Sequence, residues 1–331
     1  MKHVHVVISD LFLPKSVATD VCAGLHLPVL EKILARGNVQ SLPTHSLEDW
    51  LCQAFAVPDQ AIAPVTLLAD RVMPDAAYWM RADPVHLRLQ RSQTILQTNV
   101  EISLDEAQQL CESLNQYWAD SGMRFFAPHP QRWYLRLDDD PQLNTHSIYQ
   151  VEGRDSRHYL PQGATALKWH GVMNEIQMLL YGHPVNQACE ARGGLPVNSV
   201  WLWGGGRAVT LAQPFAKMVS DSELVKSFAH AANIAHSFIA GEQGNFENAL
   251  YVWEGANVAL RRGDFHAWRQ SVLWFEQNCM LPLLRALADG ELDKVTFDVL
   301  QEDNSSRFEL TRAMLWKFWL RPQALASYAL V

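Results

Sequence analysis

Four short runs constrain the fold of this 331-residue chain more than anything else in it: residues 4–9 (VHVVIS), 199–203 (SVWLW), 250–253 (LYVW) and 295–300 (VTFDVL). They are largely apolar, as in strands that have cover on both faces. Strands of that kind belong mainly to parallel sheets lying between layers of helices. Helical segments stand between the runs. Residues 29–35 are stopped by Gly37, and residues 47–55 are closed by Pro58. Gly263-Asp264 opens a helix with Phe265, Trp268, Val272, Phe275 and Cys279 on one face, and Gly290 follows its end. Strands alternating with helices predict an α/β fold, a mostly parallel sheet with helices on both faces.

The texture changes near Arg91. Ser103 and Glu106 make a capping box before a helix with Ala107, Leu110, Leu114 and Tyr117 on one face. An aromatic, strand-like stretch follows at 125–137, then a polar segment, 138–163, that begins DDD. This block reads as an α+β insertion. The expected division is a core at 1–90 and 196–331 with an inserted cap at 91–195, and the length suits about two domains. Residues 80–89 read as extended.

The net charge of −8 is spread along the chain with no basic run, so nucleic acid is not an expected partner. No apolar run reaches the ~18 residues of a membrane span, and MKHVHVVISD lacks the apolar core of a signal peptide. The five cysteines are odd in number and form no CxxC pair, which fits free thiols in a reducing compartment. A cytoplasmic protein with no membrane partner is the expectation. Several of the twelve tryptophans are expected to line a cleft or an interface, and Trp316 and Trp319 in WKFWLRP to be core or interface anchors.

Residues 169–203 pack HPVN, RGG and PVN between an apolar helix and a tryptophan-rich strand. His183, Asn186, Arg192 and Asn198 are suited to grip an anionic ligand, Arg192 bidentately. The alternative is that HPVN and PVN are turn and cap chemistry. Arg81, Asp83 and His86 in RADPVHL are candidates too. Alternation puts Arg81 and Asp83 on one face of a strand, as a polar cleft rim or as an ion pair ordering the insertion. Gly204, Gly205 and Gly206 either let backbone amides approach a phosphate or turn the chain sharply out of the strand.

The order LPVLEKILARG, THSLEDWLCQAFAVP, HPVNQACEARGGLPVNSVWLWGGG and RRGDFHAWRQSVLWFEQ resembles the archaeal-type, cofactor-independent phosphoglycerate mutases. It is nearest to a bacterial RpfE-type regulatory group that shares their label. The resemblance implies an alkaline-phosphatase-like core with an inserted cap. It also implies phosphoryl transfer through a serine beside two divalent metals. Asp10 falls at the first metal position, although Leu11 replaces the usual glycine after it. Ser46 falls at the nucleophile position, where it also suits a plain helix N-cap with Asp49 at the third helical position. Aligned on Gly263-Asp264-Phe265, the metal Asp, the metal His and a Lys fall on Asn257, Arg261 and Trp268. The final Asp-His pair falls on Asp303 and Asn304.

A guanidinium cannot ligate a metal. The expectation is therefore a degenerate relative with no cofactor, binding a small phosphorylated or carboxylate ligand or a protein partner. The alternative is an active phosphatase or mutase holding one Mn or Zn ion. It would use Ser46 as nucleophile, Asp10 and Asp303 as ligands, and Arg261 as a substitute charge.

Overall fold

The computed structural model describes residues 2–44, 46–241, 246–261 and 263–329; His45 and Arg262, inside two of the quoted motifs, lie outside the described residues. In chain order the strands are β1 (His3–Ser9), β2 (Asn38–Ser41), β3 (Tyr78–Gln90), β4 (Gln93–Gln97), β5 (Met123–His129), β6 (Arg132–Leu137) and β7 (Leu143–Asn144). There follow β8 (Gln162–Gly163), β9 (Ser199–Gly206), β10 (Lys217–Ser220), β11 (Ala235–Ser237), β12 (Ala249–Trp253), β13 (Lys294–Leu300) and β14 (Ser306–Thr311). The chain divides into two compact units, Met1–Phe55 with Ala212–Val331, and Ala56–Leu211. Among the described residues no helix is long and apolar enough to cross a membrane.

The first unit is built on a seven-stranded sheet of order β11-β10-β12-β1-β13-β14-β2. Neighbours from β11 to β13 run parallel, and β14 is antiparallel to both β13 and β2. Central β1 shows why its run does not alternate. Val4, Val6 and Ile8 join a core with the Pro28–Arg36, Phe265–Phe275 and Leu281–Asp289 helices. On the opposite side of the pleat, His5 meets Trp50 of the Leu47–Ala54 helix edge-on, with ring centroids 5.0 Å apart. Both faces are covered, as the apolar runs predict.

The Phe265–Phe275 helix passes through a π turn, Glu276–Met280, into the next helix, which ends on left-handed Gly290 at φ 83°. At the π turn the Glu276 carboxylate accepts from the backbone N–H groups of Val29 and Leu30, at 2.6 and 3.0 Å. It thereby caps the Pro28–Arg36 helix, whose own N-cap residue, Leu27, makes no side-chain bond.

The second unit is antiparallel. Its sheet runs β4-β3-β6-β5, with β9 also paired to β3. The first part of β3 lies between β6 and β9, and its last part pairs with β4. The Ile62–Ala69 helix packs on β3 and β9, the Leu104–Tyr117 helix on β5, and the Ala166–Tyr181 helix on β9. The Ser103–Glu106 capping box is formed. Strand β3 therefore lies inside this sheet with β9 flanking it, and both belong to the second unit, so the units part at 55/56 and 211/212 rather than at 90/91 and 195/196. Apolar continuity reports cover on both faces, which all eight residues of β9 have, and says nothing about the direction of the partner strand.

The three glycines also differ from both expectations. They neither turn the chain out of the strand nor form a free amide cradle, but continue β9, with Gly206 opposite Trp79. A Cβ on Gly205 would stand 2.6 Å from the Tyr78 hydroxyl oxygen. One on Gly206 would stand 2.3 Å from Ala61 Cβ and 3.0 Å from Ala61 Cα, just where the Ile62–Ala69 helix begins. Glycine is needed here for close packing of backbone on backbone. Gly206→Ala is expected to destabilise the protein by about 1–3 kcal/mol in urea unfolding. Gly171→Ala, helical and with open space around its Cα, should be neutral or stabilising by about 0.5–1 kcal/mol. Equal effects at both sites would refute the packing argument.

Candidate functional site

In open α/β sheets ligands bind beyond the C-terminal ends of the parallel strands, where loops leave the sheet and helices begin. In the first unit this edge gathers the ends of β1, β10, β12 and β13. After β1, Asp10 adopts a left-handed conformation (φ 55°), and its N–H donates to Leu300 O at 2.9 Å, tying it to the end of β13. After β12 come Glu254 and the Gly255–Arg261 helix, with Asn257 in its first turn. The Asn257 amide Nδ2 donates to Asp10 Oδ2 at 2.5 Å. Half-buried Glu254 has its carboxyl pKa pushed up by burial. The Ser222 hydrogen bond and the Arg261 charge oppose that shift, and the nearby Asp10 charge adds to it.

After β10, Ser220 Oγ donates to Val252 O at 2.8 Å and Asp221 accepts from the Ile239 N–H at 3.2 Å. A cavity of about 390 Å³ lies against these loops, lined among others by Asp221, Ser222, Glu254, Asp264 and Ser271. After β13, the buried side chain of Gln301, with its carbonyl oxygen toward the β1 loop, accepts from the Leu11 and Phe12 N–H groups at 3.0 Å each.

The edge thus brings together Asp10, Asn257 and Glu254, with Arg261 close enough for its charge to be felt. Asp303 is exposed in the turn after β13, and Gln301 reaches the β1 loop instead. Ser46 caps the Leu47–Ala54 helix, its Oγ accepting from the Asp49 N–H at 3.1 Å. Trp268, at the aligned Lys position, is fully buried in the core.

These donors do not fit the two-metal centre that the resemblance implies. Asn257 turns an N–H, not an oxygen, toward Asp10, and the Arg261 guanidinium has no lone pair to give. Among the described residues no group of three or more His, Cys, Asp or Glu side chains is placed to hold a metal.

A second polar cluster lies on the face of the first unit's sheet that meets the Leu47–Ala54 helix, away from the strand ends. Asp298, with no exposed side-chain surface, accepts from His5 Nε2 at 2.7 Å, Trp50 Nε1 at 2.8 Å, and Arg307 Nε and Nη2 at 2.7 Å each. Burial alone would raise its pKa. The Arg307 and His5 hydrogen bonds and charges overcome this and hold it at about 2.

The candidates in the second unit are spread over several contacts. Arg81 and Asp83 do share a face of β3, but they are buried rather than at a rim. Arg81 Nε and Nη2 donate to Asp83 Oδ1 at 3.0 and 2.7 Å, and Trp203 Nε1 donates to Asp83 Oδ2 at 2.7 Å. The guanidinium lies over the Tyr134 and Trp203 rings, 5.5 and 5.2 Å from their centroids. His86 Nδ1 pairs with Pro196 O at 2.9 Å.

Asn198 clamps the backbone of Leu87, accepting from its N–H at 2.7 Å and donating to its O at 3.0 Å. His183 caps the Pro184–Ala191 helix and meets Ser113 Oγ at 2.9 Å. Buried Asn186 donates to Leu180 O and Val197 O, both at 2.7 Å, and accepts from the Val197 N–H at 3.1 Å. Exposed Arg192 donates to Glu106 at 2.8 Å. HPVN and PVN thus act as caps and clamps.

Sequence reasoning missed Glu254, Ser222, Gln301 and Asp298. The first three carried a usable signal: each is the first or second polar residue beyond an apolar strand end. Asp298 carried a different one, a lone carboxylate inside the apolar run VTFDVL.

Residues 69–186, all within the second unit, match the family model described as 2,3-bisphosphoglycerate-independent phosphoglycerate mutase. The 2,3-bisphosphoglycerate-independent phosphoglycerate mutase of Methanosarcina acetivorans is 29% identical over 151 residues, 43% of this chain and 38% of that protein. The probable enzyme of that description from Geobacter sulfurreducens is 28% identical over 127 residues, 35% of this chain and 31% of that protein. The match therefore spans about a third of the length of these curated relatives. Among solved structures, the PH0037 protein of Pyrococcus horikoshii is similar with a TM-score of 0.53 at 12% identity, over 94% of this chain and 87% of that one. That likeness is one of fold, a mixed α/β architecture with a mostly parallel central sheet.

Proposed function

We propose that this relative of the 2,3-bisphosphoglycerate-independent phosphoglycerate mutases is a binding protein rather than a phosphoryl-transfer enzyme. One observation carries the reading. The Asn257 amide donates into Asp10, the carboxylate that the resemblance assigns to a metal, so a position that would have to supply a second ligand oxygen presents an N–H instead. Asp10, Ser46, Asn257, Arg261 and Asp303 all lie outside the stretch matched to the family. A guanidinium neutralises an anion, but it does not generate a metal-bound nucleophile. Such an edge suits a small phosphorylated or carboxylate ligand, or a protein partner in a regulatory role. Free cysteines throughout fit a reducing cytoplasm.

The test combines metal analysis with an assay for interconversion of 2- and 3-phosphoglycerate, with and without added Mn or Zn. The expected result is well under one equivalent of tightly bound metal and no turnover above background. Stoichiometric metal together with turnover abolished by Ser46→Ala would overturn the proposal and favour an active enzyme with an altered centre.

A further inference from the structure

We propose that the aromatic loop at 316–320 docks the protein on an anionic membrane surface. Trp316, Phe318 and Trp319 are 76%, 77% and 65% exposed, and Leu320 is exposed beside them. This corrects the alternative of core anchors: the tryptophans of WKFWLRP face solvent. The loop is not a frayed end. Before it, the Arg36 guanidinium holds Leu315 O. Within it, Phe318 N donates to Trp316 O at 2.8 Å and Leu320 N to Lys317 O at 3.0 Å. After it, Leu325 is buried and Tyr328 stacks on Phe12 with ring centroids 5.7 Å apart. A loop fixed at both ends that still presents four large apolar side chains to water is a contact surface in want of a partner.

Charge selects the partner. From Leu310 to the end the sequence holds Arg312, Lys317 and Arg321 and no acidic residue, in a chain whose net charge is −8. The nearest carboxylate before this segment, Glu309, is bonded to Lys294. Arg312 and Arg321 are exposed and flank the aromatic residues in the sequence. Tryptophan, phenylalanine and leucine flanked by basic side chains is the composition that partitions into the headgroup layer of anionic bilayers. The absence of a spanning segment, on which the expectation of no membrane partner rested, does not bear on attachment of this kind.

The test is co-sedimentation of the intact chain with vesicles of phosphatidylcholine alone and of phosphatidylcholine mixed with phosphatidylserine. Binding is expected only to the phosphatidylserine vesicles, and it should weaken as salt rises. Lys317→Glu with Arg321→Glu should lower the affinity at least about 25-fold, since each basic charge near such a surface contributes roughly a factor of five. Trp316→Ser, Phe318→Ser and Trp319→Ser together should abolish sedimentation without moving the melting temperature, because the side chains replaced are exposed. No binding, equal binding to both vesicle types, or binding indifferent to these substitutions would overturn the proposal. So would dimerisation that the triple variant abolishes in the absence of vesicle binding, since the loop would then face a second copy of this chain.

Discussion

Asp298→Asn is expected to destabilise the unit built on the parallel sheet by about 3–5 kcal/mol. The carboxylate is wholly buried and takes four hydrogen bonds from His5, Trp50 and Arg307. Removing its charge leaves the Arg307 guanidinium without its counter-ion and turns an N–H toward groups that are themselves donors. Urea unfolding followed by circular dichroism measures the loss, and a change below about 1 kcal/mol would show the cluster to be incidental.

The same carboxylate predicts a pH dependence. Its folded pKa of about 2 lies below the ordinary 3.8, so it contributes stability above pH 4 that is lost as pH falls from about 4 toward 2. The amount is about 2 kcal/mol. This acid-side slope should be missing from Asp298→Asn, whose stability should vary less across that window.

Arg81→Met is expected to cost the antiparallel unit about 3–5 kcal/mol for a related reason. The substitution strands a buried Asp83 carboxylate with Trp203 Nε1 as a remaining donor, and it removes a cation from between the Tyr134 and Trp203 rings. The double variant Arg81→Met, Asp83→Leu should recover most of the loss, because an apolar pair of similar volume need not be solvated. Measured as a double-mutant cycle, the coupling should be at least about 2 kcal/mol. Strict additivity would mean that the two residues do not act as a pair.

The buried pair illustrates what could be read in advance. Alternation along RADPVHL places Arg81 and Asp83 on one face without showing whether that face meets water. The tertiary packing settles it, because Tyr134 from β6 and Trp203 from β9 close over the guanidinium. The strand-end site was partly legible. Asp10 stands out because it matches the family's first metal position, and Asn257 because it departs from another. Glu254 and Gln301 were passed over because neither matches a motif. Their importance comes from sitting at the ends of β12 and β13, beside the β1 loop.

What the sequence determined by itself is the local structure and the kind of cover it needs. The apolar runs become β1, β9, β12 and β13, the Ser103–Glu106 box starts its helix, and Gly290 ends another in a left-handed cap. Those signals act over a few residues and depend on periodicity and backbone conformation alone. Only the tertiary structure decided that β9 pairs antiparallel with β3 and that three glycines admit a helix rather than a phosphate. It alone showed that Asn257 spends its N–H on Asp10, and that the tryptophans at 316 and 319 face water. Each of these depends on which distant segment arrives opposite, through contacts between residues far apart in the chain, 247 residues in the case of Asp10 and Asn257. No local pattern encodes the identity of that partner.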